Sequence, residues 1–252
     1  MAALTVPCAA PGCGAVVAWV STLDPSRARC ATHTPASSSE EPTPAAVWRS
    51  RVPAAFHDAV VDIDDRDVAA AADRWLDTLT AQGPTRDTRG VLLVGPPRTG
   101  KTTLAYALAR HLARTGSLDP RRMVCGTEAQ LMRPVYAAQW PAQRAAALAS
   151  IVVPQQAGLL LLDDLGQALV DAETRAKALH ALFDQVNTTA RDTIVVVTTN
   201  LTLSALRDAV GQPVFARILE VVGRRVWVPS SRDRHTGKTY PVQIMEPYST
   251  SR

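Results

Sequence analysis

The 252-residue sequence predicts an α/β three-layer sandwich built on a parallel five-stranded sheet. Three observations predict it. From Gly90 onward, short apolar runs alternate with segments of helical period. Two of those runs, residues 159–162 and 194–197, are almost pure Leu or Ile/Val, as expected of strands covered on both faces of a parallel sheet. A glycine-containing loop, residues 95–102, stands between the first run and an amphipathic helix, which is where a phosphate-holding loop belongs.

Residues 1–36 hold three of the four cysteines and read as a small separate module. Residues 37–46, rich in Ser, Pro and Glu, read as a flexible linker. Residues 47–89 read as a helical connector, because Val68, Ala72, Trp75, Leu76 and Leu79 fall on one helical face. The main domain spans residues 90–252. Its five expected strands are residues 91–94, 123–125, 159–162, 194–197 and 226–228. Leu104, Leu108 and Leu112 form the stripe of one helix, ended by Gly116. Leu179, Leu182, Phe183 and Val186 form the stripe of another. No internal repeat is visible.

The loop Gly95-Pro96-Pro97-Arg98-Thr99-Gly100-Lys101-Thr102 fits G-x-x-x-x-G-K-[ST]. Glycines let backbone N–H groups close around a triphosphate, and the helix N-terminus favours its negative charge. With Thr103, these residues are the expected nucleotide-binding set. Lys101 would reach the β and γ phosphates, and the Thr102 hydroxyl would bind Mg²⁺. The run Leu159-Leu-Leu-Leu-Asp163-Asp164 delivers two carboxylates to the carboxyl edge of the sheet. Asp163 is expected to hold Mg²⁺ through water, and Asp164 to orient or activate the attacking water. The run 194–200 ends in Thr-Thr-Asn200, whose amide is expected beside the γ-phosphate; a turn-forming Asn is the alternative. A helix separates the acidic strand from this one. That matches ATPases with an extra strand between the phosphate-loop strand and the acidic strand, so the order 5-1-4-3-2 is expected, with ligand at the carboxyl ends.

GPPRTGKT, LLLLDDLG and VVVTTN at these spacings resemble the AAA+ ATPases of the DnaC/IstB group, bacterial and phage helicase loaders and transposition helpers. Arg51-Val-Pro-Ala-Ala-Phe-His-Asp58 looks like the short segment before the core in that group. The tail, with Ser231-Arg-Asp-Arg-His-Thr-Gly-Lys-Thr-Tyr240, resembles the DnaC ending. The resemblance covers about residues 50–240. Only 24 residues follow Val228, so no C-terminal helical lid domain is expected.

The resemblance implies an arginine finger at Arg217, acting on a neighbouring subunit, and a sensor arginine at Arg232. Arg224 and Arg225 are rivals for either role, and either assigned arginine could instead be a surface residue. A finger acting in trans implies a homo-oligomer in the ATP state. The implied function is ATP-dependent delivery of a replicative hexameric DNA helicase onto single-stranded DNA. The alternatives are an IstB-like helper binding duplex DNA and transposase, and an ATP-switched adaptor with negligible turnover. Two departures stand out. Arg98 occupies a position where the family often has a third glycine, and Asp164 is one methylene shorter than the glutamate of many relatives. Slow hydrolysis is the expected consequence of the second.

Cys8-x4-Cys13 and Cys30-x2-His33 form two ligand pairs, the pattern of a structural Zn²⁺ site. A segment this short buries little core, so metal would supply its folding energy. Disulfides are the rival. Some helicase loaders carry a similar module that docks on the helicase. With only Arg27 and Arg29 as cations, docking to protein is favoured over binding to DNA. Cys125 reads as a core thiol.

Charge is uneven: residues 1–89 carry 8 Lys+Arg against 11 Asp+Glu, and residues 90–252 carry 19 against 12. A basic ATPase module suggests contact with nucleic acid. Arg133, Tyr136, Trp140 and Arg144 are candidates to grip single strands, with simple helix packing as the alternative. No apolar run is long enough to cross a membrane. No basic stretch precedes a hydrophobic one at the N-terminus, so a cytoplasmic protein is expected.

Overall fold

A computed structural model describes residues 4–7, 16–19, 42–60, 66–152, 158–188, 190–223, 225–228, 231–232, 239–240 and 243–245. The chain divides into two compact units, residues 1–43 and 44–252. In the first, β1 (Leu4–Pro7) pairs antiparallel with β2 (Val16–Trp19), Leu4 opposite Trp19.

In the second unit, α1 (Pro44–Arg51) and α2 (Arg66–Gln82) precede β3 (Gly90–Val94). Then follow α3 (Lys101–Arg114), β4 (Met123–Thr127), α4 (Glu128–Tyr136), α5 (Pro141–Val152) and β5 (Leu159–Asp163). The domain continues with α6 (Ala172–Thr188), β6 (Ile194–Thr199), α7 (Leu203–Val210), α8 (Gln212–Val221) and β7 (Val226–Val228). Two short pieces, β8 (Ser231–Arg232) and β9 (Thr239–Tyr240), pair with each other, and β10 (Gln243–Met245) follows. Among the described residues no helix follows β7.

The main sheet runs β10-β7-β3-β6-β5-β4. Its five expected strands are mutually parallel in the order 5-1-4-3-2. A sixth strand, β10, adds antiparallel to β7 with Ile244 opposite Trp227. Successive side chains on a strand point to opposite faces, and the core divides accordingly. Val91, Leu93, Leu159, Leu161, Ile194 and Val196 pack against the stripes of α2 and α3. Leu92, Val94, Leu160, Leu162, Val195 and Val197 pack against α4 to α8. This double coverage explains why the strands read as unbroken apolar runs.

Residues 47–89, read as a connector, are part of this sandwich. Trp48, Val52, Trp75, Leu76 and Leu79 share one buried cluster with Leu108 and Trp227. Trp75 meets Trp227 edge to face at 5.8 Å and donates Nε1–H to Thr88 O. α1 begins at Pro44, inside the stretch read as a linker. Arg89 is fully buried and caps the end of α6, donating to Asn187 Oδ1 and to Arg191 O.

Candidate functional site

The site lies where β3, β5 and β6 end. β3 enters the phosphate loop, and Gly100 caps α3 with φ +82°, a conformation that favours glycine. Arg98 shares that left-handed region with φ +65° although it carries a side chain. Residue 98 is thus where the backbone asks for the glycine common in the family.

Lys101 is 4 % exposed and donates from Nζ to Pro96 O at 2.6 Å. Burial pushes its amine down to about 8, an effect partly offset by Asp164 and Asp163. Asp163 is 6 % exposed, and one of its oxygens, Oδ1, accepts from two hydroxyls. Thr102 Oγ1 lies 3.0 Å away and Thr198 Oγ1 2.5 Å away. A buried carboxylate beside a threonine hydroxyl is an oxygen donor set that suits a hard cation. Thr102 and Asp163 therefore fit as holders of Mg²⁺, which would neutralise phosphate charge there.

Asp164 sits just past β5 with φ +54°. Its backbone N–H donates to Thr198 Oγ1 at 3.1 Å, and Asn200 Nδ2 donates to its Oδ1 at 2.7 Å. Burial and the neighbouring Asp163 raise its carboxyl above the ordinary value, while Lys101 and the Asn200 bond oppose the rise. Lys101, Thr102, Asp163, Asp164 and Asn200 thus come together from three strand ends, and Asn200 bears directly on the Asp164 carboxylate.

Thr198 was not among the residues singled out from sequence, yet its hydroxyl donates to the Asp163 carboxylate and accepts from the Asp164 backbone N–H. The available signal was a hydroxyl at the end of a buried apolar strand, which must find a partner. Arg217 lies on α8, 37 % exposed, bonded to Glu220 at 2.7 Å and paired with Asp184 at 3.6 Å. The Glu220 carboxylate holds its guanidinium above the ordinary value. These partners lie on α6 and α8, apart from Lys101, Asp163 and Asp164 in the bonding network. Arg232 has its backbone in β8, and its side chain and Arg224 lie outside the described residues. Arg225 is buried and donates to Gly90 O and Asp87 O, which ties it to the start of β3 and the loop before it.

Of the candidate strand-gripping residues, Arg133 and Trp140 are exposed, Trp140 at 64 %. Arg144 donates to Ala138 O. Tyr136 turns inward, and its hydroxyl donates to Glu128. The thiol of Cys125 is half-buried, donates to Arg51 O, and is pushed up by burial. Cys8, Cys13, Cys30 and His33 lie outside the described residues, which themselves hold no metal-binding cluster of His, Cys, Asp or Glu. No helix among the described residues is long and apolar enough to cross a membrane.

A phosphate loop, a strand ending in paired acids and an intervening strand ending in a polar amide define a P-loop nucleotide-binding domain of AAA+ type. Residues 47–222 match the family described as IstB-like ATP binding protein, and the chain belongs to that family. No curated protein sequence matches it. Solved structures share the fold, among them the following three. The structure of DnaI matches over 69 % of this chain and 93 % of that chain, at 21 % identity and TM-score 0.50. A putative primosome component from Streptococcus pyogenes serotype M3 matches over 70 % and 92 %, at 17 % identity and TM-score 0.51. The DnaC helicase loader matches over 67 % and 96 %, at 18 % identity and TM-score 0.50.

Proposed function

We propose that this chain is an ATP-dependent helicase loader, binding a replicative hexameric helicase and delivering it onto single-stranded DNA in the cytoplasm. One observation carries the reading: a full set of phosphate-loop, acidic and amide groups occupies a fold shared over 96 % of the chain in the DnaC helicase loader structure. In this reading the chain converts ATP and water to ADP and phosphate. Lys101 and the loop amides bind the phosphates. Thr102 and Asp163 would hold Mg²⁺, which would supply charge neutralisation. Asp164 orients or accepts a proton from the attacking water, and Asn200 fixes its carboxylate. Arg217 reaches the site of a neighbouring subunit in a homo-oligomer, and Arg232 serves its own. Cys8, Cys13, Cys30 and His33 hold Zn²⁺ in a module that docks on the helicase.

The family description favours a second reading, a transposition helper that binds duplex DNA and a transposase. A pull-down from native lysate with ATP separates the two. Recovery of a replicative helicase, lost on combined Cys8→Ser and Cys13→Ser substitution, supports the loader and the docking role of the module. Recovery of a transposase, or of duplex DNA alone, supports the helper. An adaptor with negligible turnover is the third reading. Multiple-turnover hydrolysis that DNA stimulates and Arg217→Ala abolishes excludes it.

A further inference from the structure

Glu128 is the first residue of α4, where an acidic side chain ordinarily faces solvent and complements the helix dipole. Here it is wholly buried. A buried carboxylate must find hydrogen-bond and charge partners. Glu128 has three, drawn from three elements. Tyr136 on α4 donates its hydroxyl to Oε1 at 2.5 Å. Arg175 on α6 forms an ion pair with Oε1 at 3.4 Å. The backbone N–H of Gly166, two residues past Asp164, donates to Oε2 at 2.6 Å. Burial and the Glu128 bond raise the Tyr136 phenol, which keeps it a donor. Arg175 also donates to Ala168 O, so it grips the same loop further on.

A buried ion pair adds little net stability over apolar packing of the same volume. What it does supply is fixed geometry, and the turn beside Glu128 needs that. Asp164 is held at φ +54°, and such a conformation persists only where the surroundings over-determine it. From one side β6 does so. Asp164 N–H donates to Thr198 Oγ1, and Leu165 N–H to Thr198 O at 2.9 Å. Thr199 Oγ1 in turn donates to Leu165 O at 2.8 Å. Gly166 continues the turn with φ +89°, wedged so that a Cβ there would lie 2.8 Å from Leu201 Cδ1. β6 thus holds the first two amides of the turn, and Glu128 holds the third.

We propose that Glu128 is a positioning residue for Asp164: through the Gly166 N–H it clamps the turn that aims the Asp164 carboxylate, with Tyr136 and Arg175 holding Glu128 itself in place. The proposal rests on the reading of Asp164 as the residue that orients water. It ties α4 and α6 to the acidic strand, so a displacement of either helix is felt at Asp164.

The test uses the full chain with Glu128→Gln and, because that change strips Arg175 of its charge partner, also Tyr136→Phe, which leaves the ion pair intact. Misplacing a reacting group by about 1 Å costs on the order of a hundredfold, so Glu128→Gln is expected to lower kcat by roughly ten- to a hundredfold. The KM for ATP should stay put, since the phosphate loop is untouched. Tyr136→Phe should give a smaller fall of the same kind. Placed on Asp164→Asn, Glu128→Gln should lower kcat no further. An unchanged kcat in folded Glu128→Gln protein, a joint change of kcat and KM, or a full multiplicative loss on Asp164→Asn overturns the proposal. Absence of turnover in the unmodified chain overturns the hydrolytic reading instead. The clamp is then judged by amide exchange at Gly166: faster exchange in both variants supports it, and unchanged exchange overturns it.

Discussion

Replacing Arg98 by glycine is expected to stabilise the protein, an unusual outcome for a substitution in a ligand-binding loop. The backbone at Arg98 has φ +65°, and its side chain is exposed, so the change empties no core. A left-handed conformation costs a residue with a Cβ about 1–2 kcal/mol, and glycine avoids that cost. Glycine also gives the unfolded chain more freedom, which takes back about 0.5–1 kcal/mol. From the middle of each range, the net gain is about 0.75 kcal/mol. For a chain of this size, that raises the thermal midpoint by about 1–4 °C. Thermal and urea unfolding without nucleotide measure it, with Arg98→Ala as the control. Alanine removes the same side-chain contacts but keeps the Cβ, so it should show no gain. A glycine variant at or below the unmodified protein, or an alanine variant that gains as much, refutes the reasoning.

Three further outcomes follow from the site and the sheet. The buried Lys101 amine titrates at about 8 when folded and near 10.5 when unfolded. Between those values the unfolded chain binds more protons, so this group's contribution to stability rises with pH across that window. Phosphate binding needs the charged form, so ATP affinity should weaken above about pH 8 with proton uptake on binding; calorimetry in two buffers of different ionisation heat reads this, and Lys101→Met should abolish the uptake. Gly158→Ala would place a Cβ 1.8 Å from Arg122 O on the neighbouring strand connection. Overpacking against backbone should cost about 3 kcal/mol, seen as a lower midpoint in scanning calorimetry. Asp164→Glu should raise ATP turnover, because the longer acid reaches further toward water; an unchanged rate counts against the expectation that Asp164 makes hydrolysis slow.

Much of the fold was legible because the sheet is covered on both faces. Residues 159–162 and 194–197 read as buried strands because they are short, unbroken apolar runs of Leu or Ile/Val, and the polar residues that end them marked the carboxyl edge. β10 was illegible: three residues, Gln243 to Met245, carry no period, and only pairing with Val226 to Val228 makes them a strand. Lys101, Thr102, Asp163, Asp164 and Asn200 were legible because each closes a local pattern. Glu128 was not, since its burial depends on Arg175 and Gly166, both far along the chain. Tyr136 stood as a candidate to grip single strands, with helix packing as the alternative; its bond to Glu128, eight residues back on α4, is identified only once that helix is folded. Arg225 resembled a phosphate-seeking arginine in sequence, and only the packing of the loop before β3 shows what it holds.

In the proposed function, ATP is hydrolysed at a site that a neighbour's Arg217 completes. Turnover by a mixture of Lys101→Ala and Arg217→Ala chains with single-stranded DNA tests it most directly. The first chain lacks its phosphate-binding amine but can lend Arg217; the second binds ATP but lacks the arginine. Each alone should be inactive, and the mixture should recover a substantial share of the unmodified rate. Full activity of Arg217→Ala alone, or no recovery on mixing, would contradict the account.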